Sequence, residues 1–469
     1  MKPIDRQILR LSIPSILANI TVPLVGMVDI AVSGHLGLLE GREGFTAAAM
    51  IGGISIGSML FDLLYWNFSF LRVGTGGLTA QAFGARRRAA DADDPQGELA
   101  ASRVIAGSFS SALLVAVLAG FLLVALQGLV LWAAFAVVDC TPEVAVLAGR
   151  YFRIRIWAAP ATLSLFAFKG WFIGMQDTVS PMLTDLIVNG LNIAASIILA
   201  FGAGSFKGIG YDGVALGTVI AQWSGFAFAL AVVLIKYRKD ALRRDSSLPG
   251  GLRKLFAMNA DLVLRSMGLL AIYIGFTVIA ARYGDVMLAV SSIMMKLLML
   301  FSYFSDGFAY AGEALTGKYL GMKDYGQVKA TVRHTFAWSM GVAVSFILIY
   351  YLTGKPMLRM MTSDDSVIRA AVPFLPWLMV MPLTGCPAFT WDGIFMGATA
   401  SSHVRNSSLL SAVCFFGAWF LGLAVLPEGY SGADAIHVLM AAYFVHLAAR
   451  TVYQSIVWRK AVLGDFWKE

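Results

Sequence analysis

The segment GGLTAQAFG occupies residues 76–84, and a similar segment, EALTGKYLG, occupies residues 313–321. Further along each half, GWFIG at residues 170–174 is matched by GIFMG at residues 393–397. The two matches occur in the same order, at offsets of 237 and 223 residues in a chain of 469. Because both offsets are close to half of the chain length, the spacing indicates an internal repeat of two halves.

The composition of the chain identifies the solvent in which these halves fold. Hydrophobic residues make up 58% of the sequence and charged residues 14%, with a mean hydropathy of +0.74. A soluble domain has about 25% charged residues. We therefore predict an all-α polytopic membrane protein surrounded by lipid. The net charge of +8 falls mostly in short gaps between apolar runs, as topology signals do, which argues against a nucleic-acid partner.

Apolar runs long enough to cross a bilayer, which takes about 20 residues, predict about twelve transmembrane helices. The predicted helices are 11–34, 45–71, 104–130, 145–173, 180–202, 211–236, 255–281, 286–312, 330–352, 372–397, 405–425 and 435–457. Six helices per half give both halves the same orientation and predict two six-helix bundles related by pseudo-two-fold symmetry. We place the bundles at 1–235 and 255–469, with a basic cytoplasmic linker at 236–254. Transporters built from such repeats bind substrate between them and alternate by rocking.

The distribution of basic residues predicts the orientation. Most of them lie in the even-numbered gaps, such as the run Arg86, Arg87 and Arg88 after the second helix and the linker at 236–254. The positive-inside rule then puts those gaps and both termini in the cytoplasm. An even number of helices likewise requires the two termini to lie on the same side of the membrane.

Motifs of other functional classes are missing from the sequence. The three cysteines show no CxxC spacing, the five histidines form no HExxH pattern, and no Walker A motif is present. A membrane-embedded enzyme, such as an acyl- or glycosyltransferase, needs a His/Asp or metal constellation that we do not find. We therefore expect no catalytic residues, no metal site and no cofactor.

Four segments resemble the multidrug and toxic compound extrusion (MATE) family, and within it the DinF-like branch. They are VDIAVSGHLG (28–37), GWFIGMQDTVSP (170–181), SYFSDGFAYAGEALTGKYLG (302–321) and WDGIFMGAT (391–399), and the resemblance covers essentially the whole chain. It implies two six-helix bundles arranged as a V. It also implies a monomer in the bacterial inner membrane that exports organic cations or other amphipathic compounds, driven by inward flow of protons or sodium.

Asp29 is the first candidate for ion coupling. It lies roughly 8 Å inside the outer end of the first helix, at 1.5 Å per residue. A carboxylate at the bilayer centre costs at least about 2.5–3.5 kcal/mol, so one that is kept usually has a role. Because burial disfavours the charged form, we expect Asp29 to exchange a proton near ordinary pH and so couple proton uptake to helix packing. The alternatives are a sodium ligand and a buried structural carboxylate. The resemblance to the family's acidic residue in this helix supports a role in coupling.

Asn192 and Ser196 on helix five, with Thr218 on helix six, complete the predicted ion-coupling site. Asn192 and Ser196 are four residues apart and share a helix face. In the family, the Asn is often followed four residues later by an Asp, and this chain has Ser196 there. The departure removes a second carboxylate, weakens the case for a sodium site, and favours protons. All three residues could equally form hydrogen bonds between helices.

Five further polar residues form a predicted secondary network: Lys169, Lys296, Asp306, Glu313 and Asp392. Lys169 precedes GWFIG as Asp392 precedes GIFMG. Lys169 is expected either to reach the cytoplasmic face by snorkelling or to pair with Asp29 or another acid. The Lys–Asp network has two open interpretations, a second proton relay and a rigid staple.

The function predicted from the sequence is a secondary antiporter whose transported ion is H⁺, with Na⁺ less favoured, and whose partners are small cationic or amphipathic substrates and the lipid bilayer. One alternative is a protein of the same fold with a different substrate, namely a flippase for a lipid-linked precursor. That cargo favours a strongly cationic cavity, whereas the intramembrane charges here are mixed in sign. A membrane-embedded enzyme is the other alternative.

Overall fold

The computed structural model of the chain describes residues 2–38, 46–136, 138, 140–243, 251–362 and 364–464. These residues form α-helices, and the described part contains no strand beyond an isolated bridge between Ala203 and Phe206. The helices are α1 (Pro3–Leu38), α2 (Ala47–Asn67), α3 (Phe70–Asp91), α4 (Pro95–Ala125), α5 (Gln127–Phe135), α6 (Pro142–Arg155), α7 (Ala159–Gly174), α8 (Val179–Phe201), α9 (Tyr211–Lys236), α10 (Arg238–Ala241), α11 (Gly251–Ala281), α12 (Asp285–Met322), α13 (Tyr325–Met361), α14 (Asp365–Ala371), α15 (Leu375–Gly397), α16 (Ser401–Val425) and α17 (Gly432–Leu463).

Twelve spans of these helices are long and apolar enough to cross a membrane, which confirms the predicted all-α fold with twelve transmembrane helices. Three spans combine two consecutive helices: α2 with α3, α6 with α7, and α14 with α15. A short 3₁₀ turn joins the helices of the fourth span at Ile156–Ala158 and those of the tenth at Val372–Phe374. The two halves of the chain therefore repeat this irregularity at corresponding places.

Several helices begin at side-chain caps, which satisfy amide groups that a helix leaves unpaired in its first turn. The Thr141 hydroxyl accepts from the Val144 amide, and Pro142 occupies the first turn of α6, where it removes no helical hydrogen bond. At the start of α17, Ser431 and Asp434 form a reciprocal capping box. These capping residues determine where the segments that connect the spans end and the next helix begins.

The chain divides into two compact units. Unit 1 comprises Met1–Ile16, Gly76–Glu98 and Gly250–Glu469, and unit 2 comprises Leu17–Thr75 and Leu99–Pro249. Each has its own apolar core, built around residues such as Phe301 and Phe374 in unit 1 and Phe61 and Phe152 in unit 2. The bundle boundaries drawn from the sequence, 1–235, 236–254 and 255–469, remain a prediction.

The sequence repeat reappears as a reciprocal contact within unit 1. Gly84 on α3 lies against the backbone of Lys318 on α12, and Gly321 on α12 lies against the backbone of Gln81 on α3. Gly321 follows Gly84, and Lys318 follows Gln81, by the same offset of 237 residues. A Cβ atom on either glycine would overlap the facing carbonyl. The residues of one repeat thus contact the equivalent residues of the other.

Candidate functional site

Asp29 lies on α1, and the residue is 5% exposed. Its Oδ1 atom is buried and makes no hydrogen bond to any described residue. The groups that act on its carboxylate are the Arg155 guanidinium and the Ser196 hydroxyl. The predicted ion-coupling carboxylate is therefore a buried acid with one uncommitted oxygen, beside a cation and a hydroxyl.

The other three predicted ion-coupling residues are buried in the same unit. The Asn192 side-chain amide on α8 donates to the Thr218 hydroxyl on α9 at 2.9 Å, while Asn192 Oδ1 has no hydrogen-bond partner among the described residues. The Ser196 and Thr218 hydroxyls both donate to the Val214 carbonyl, at 3.4 and 3.3 Å. Through Ser196, this α8–α9 pair reaches Asp29, so the structure brings all four residues together.

Arg155 is a charged residue at this site that the sequence prediction did not include. Its guanidinium donates to the Tyr151 hydroxyl at 2.8 Å and to the Ser58 hydroxyl at 3.1 Å, and it lies over the Phe61 ring at 4.8 Å. Arg155 is 13 residues from Pro142, the start of α6, which places it roughly 20 Å along the span. That depth was a usable signal, because ionisable side chains far inside an apolar run are usually functional.

Lys169 forms an ion pair with Asp185 at 2.6 Å, both side chains being about one-quarter exposed. The sequence suggested Asp29 or another acid as the partner of Lys169, and the partner in the structure is another acid. The pair lines a cavity of about 240 Å³ in unit 2. Other lining residues are Phe166, Phe168, Phe172, Thr184, Asn189 and Gln222. Aromatic walls beside a charged pair suit an amphipathic molecule.

Asp392 on α15 is the centre of a buried charged cluster in unit 1. Its Oδ2 accepts from Arg265 at 2.8 Å and from Arg450 at 2.5 Å, and its Oδ1 accepts from the Gln454 amide at 2.8 Å. Arg450 is 3% exposed. The two arginines come from α11 and α17, and neither was in the predicted network. One carboxylate shared by two guanidinium groups leaves the cluster with a net positive charge.

The predicted Lys296–Asp306–Asp392 cluster requires correction, because Lys296 does not supply the charge that faces Asp392. Gly393, the next residue after Asp392, lies against Ala309 on α12. Lys296 is 13 residues before Ala309 on that helix, a distance of roughly 20 Å. Along α12, Lys296 is exposed, Asp306 is half-buried and Glu313 is buried. Lys296 and Asp392 are therefore not partners, and Lys169 pairs with Asp185. The remaining assignments of this network stay a prediction.

Among the described residues, no group of three or more His, Cys, Asp or Glu side chains is arranged to hold a metal ion. The chemistry that the unit 2 site offers is therefore that of a single buried carboxylate, amide and hydroxyl oxygens, and one fixed guanidinium. Such a site can exchange a proton or hold a monovalent cation.

The described residues contain twelve helical spans that are long and apolar enough to cross a membrane, with buried charges inside each unit, which is the fold of a polytopic membrane protein. The family model described as MatE matches residues 14–198 and 262–417. The chain therefore belongs to the MatE family, which confirms the resemblance found in the sequence. DNA damage-inducible protein F of Escherichia coli K12 is 32% identical over 466 residues, covering 99% of this chain and 94% of the relative.

More distant proteins agree with this membership. A probable multidrug resistance protein NorM from Photorhabdus laumondii is 23% identical over 91% of this chain and 87% of its own. A crystal structure described as MATE in the bent conformation superposes with a TM-score of 0.80 at 17% identity, covering 100% of this chain and 98% of that chain. A bent form of the Vibrio cholerae MATE transporter VcmN gives 0.79 at 16% identity, covering 99% and 98%. At these identities, the structural likeness shows the fold.

Proposed function

We propose that the protein is a proton-driven antiporter that exports organic cations or amphipathic toxic compounds across the bacterial inner membrane, with both termini in the cytoplasm. The observation that carries the proposal is Asp29, a buried carboxylate with one unpaired oxygen among described residues. The relative NorM is named as a probable multidrug resistance protein, and membership of the same family supports the same class of cargo for this protein.

The coupling works through the two charge states of Asp29. Ionised, the carboxylate is attracted by the Arg155 guanidinium. Protonated from the outer side, it is neutral, and the attraction between α1 and α6 weakens. Helix α1 then repacks and substrate leaves outward, after which loss of the proton to the cytoplasm restores the loading state.

The energy of one proton is sufficient for this cycle. A proton that moves through 100 mV gains about 2.3 kcal/mol, and each pH unit adds about 1.4 kcal/mol. Since about 1.4 kcal/mol corresponds to a tenfold concentration ratio, one proton can sustain a ratio of 10 to about 1000 for an uncharged substrate. For a monovalent cation exchanged one for one, the two charge movements cancel, and the pH gradient alone supplies about a tenfold ratio per pH unit.

Protons are favoured over sodium because the site has one predicted coupling carboxylate. Hard metal cations need several oxygen ligands and bind more tightly as the number of charged ligands rises. Ser196 stands where the resemblance to the family implies a second carboxylate, and its hydroxyl is neutral. A proton, in contrast, needs only one acceptor.

The experiment uses purified protein in proteoliposomes and follows a fluorescent organic cation, ethidium, under an imposed pH gradient and then under a sodium gradient. Wild type should transport with the pH gradient alone, and Asp29→Asn should not. Asp212→Asn is the matched control, since Asp212 pairs with Arg150 at 2.9 Å and both side chains are about one-third exposed. Transport driven by sodium alone, or an Asp29→Asn variant as active as wild type, would overturn the proposal.

A further inference from the structure

Arg155 is held in place by neutral groups rather than by a carboxylate. Its guanidinium donates to the Ser58 and Tyr151 hydroxyls and stacks on the Phe61 ring, and Phe61 in turn stacks on Phe152 at 4.7 Å between centroids. These contacts bind an arginine without cancelling its charge. Because arginine stays protonated at any ordinary pH, the positive charge is a permanent part of the site.

The ionisable groups that face Arg155 come from three helices. Asp29 on α1 and Asp62 and Tyr65 on α2 interact with it electrostatically, as does Tyr151 on its own helix. Asp29 is buried, whereas Asp62 is exposed. The guanidinium is thus held in a fixed position within electrostatic range of the buried carboxylate, without a direct ion pair to it.

A group of oxygen atoms nearby resembles the start of a cation site. Asp29 Oδ1 and Asn192 Oδ1 are both buried without hydrogen-bond partners among the described residues. The Ser196 and Thr218 hydroxyls are buried beside them. Carboxylate, amide and hydroxyl oxygens are the ligands that hard cations prefer, so the ligand types alone would admit sodium.

We infer that Arg155 determines the ion specificity of this site, by supplying permanently the positive charge that a bound sodium ion would bring to Asp29. A second cation among the same oxygens meets the repulsion of the guanidinium inside a poorly screened interior. A proton escapes this repulsion because it neutralises Asp29 instead of adding a free charge. The inference rests on the proposed function, since it takes Asp29 as the coupling group.

Direct binding of radioactive ²²Na⁺ to purified protein tests the inference without a transport assay. Wild type should show no saturable binding that depends on Asp29, and Arg155→Gln should gain it. The double variant Arg155→Gln with Asp29→Asn should lose it again. Arg155→Lys keeps the charge and should behave as wild type, as should Arg153→Gln, which removes an exposed charge two residues away.

A folded Arg155→Gln variant that gains no sodium binding would overturn the inference. If that variant does not fold, Arg155→Met decides, because methionine fills similar space and leaves no buried polar group to satisfy. The outcome is separable from that of the proposed function. Transport by the wild type that is driven by a sodium gradient would contradict the proposed function. Proton-driven transport by the wild type, together with Arg155→Gln and Arg155→Met variants that bind no sodium, would contradict only this inference.

Discussion

Gly170 on α7 lies against the backbone of Arg72 on α3, so close that a Cβ atom on Gly170 would overlap the Arg72 carbonyl. Gly393 on α15 has the same relationship to Ala309 on α12. Gly393 follows Gly170 by 223 residues and Ala309 follows Arg72 by 237, the two offsets of the sequence repeat. Gly170 of GWFIG and Gly393 of GIFMG are therefore packing sites. Each lies where the fourth transmembrane span of its half contacts the second span.

Replacing Gly170 by alanine should destabilise the protein by about 1–3 kcal/mol, the usual effect of adding volume to a packed interior. Gly190 is the control, because a Cβ there meets nothing within 4 Å. Alanine at Gly190 should be neutral or slightly stabilising, since alanine is the better helix former. Thermal unfolding of the detergent-solubilised variants measures both, and equal melting temperatures would contradict the packing role.

Removal of the Asp392 charge should be more damaging than removal of one of its cations. Asp392→Ala leaves Arg265 and Arg450 facing each other in a buried site, and we expect a loss of about 3–5 kcal/mol. Arg450→Met leaves Asp392 paired with Arg265 at 2.8 Å and should retain more stability. The order of the two melting temperatures is the measurement. An Asp392→Ala variant as stable as Arg450→Met would show that the cluster is not held by its carboxylate.

Asp177, in the loop between α7 and α8, joins three elements. It accepts from the Ser180 amide at 3.0 Å, from Lys236 Nζ at 2.8 Å and from the Tyr237 hydroxyl at 2.8 Å. Burial alone would raise the pKa of Asp177, but the hydrogen bonds from Lys236, Ser180 and Tyr237 outweigh burial and hold the pKa below its ordinary value of 3.8.

The lowered pKa predicts a pH-dependent stability. A carboxylate whose folded pKa lies below its unfolded pKa stabilises the fold above the unfolded value and loses that effect as pH falls through the folded value. Asp177→Asn should therefore cost about 1–3 kcal/mol near neutral pH, where it loses charged hydrogen bonds. The difference from wild type should shrink as the pH falls below 3.8. A difference that stays constant from neutral pH to about pH 3 would show that the charge of Asp177 is unimportant.

The length and apolarity of the runs were enough to predict twelve helices, but not where each one ends. The eighth helix was predicted at 286–312 and extends over Asp285–Met322, and the ninth was predicted at 330–352 and extends over Tyr325–Met361. Hydropathy detects the part of a helix that lipid can cover. The polar segment GKYLGM (317–322) continues α12 for a different reason. It packs against α3 at Gly321, and hydropathy does not detect such a tertiary contact.

The site was predictable where residue type alone carried the signal. An acid inside an apolar run identified Asp29, and helical spacing identified Asn192 with Ser196. The partners of the charges were not predictable, because Arg265 and Arg450 reach Asp392 from helices distant in sequence. Arg155 likewise interacts with Asp29 from a different helix. Lys169 and Asp392 occupy equivalent positions by the 223-residue offset, yet their partners differ: an acid for Lys169 and two arginines for Asp392.

In the proposed mechanism Asp29 carries the coupled proton, and this role can be measured by counting the protons that substrate binding releases. Purified protein in weakly buffered detergent solution, with a pH-indicator dye, is mixed with saturating ethidium. Wild type should release about one proton per bound cation if substrate and proton compete through one carboxylate, as the linkage of binding and protonation requires. Asp212→Asn should do the same. Asp29→Asn should bind ethidium without proton release, and undiminished release from that variant would contradict the account.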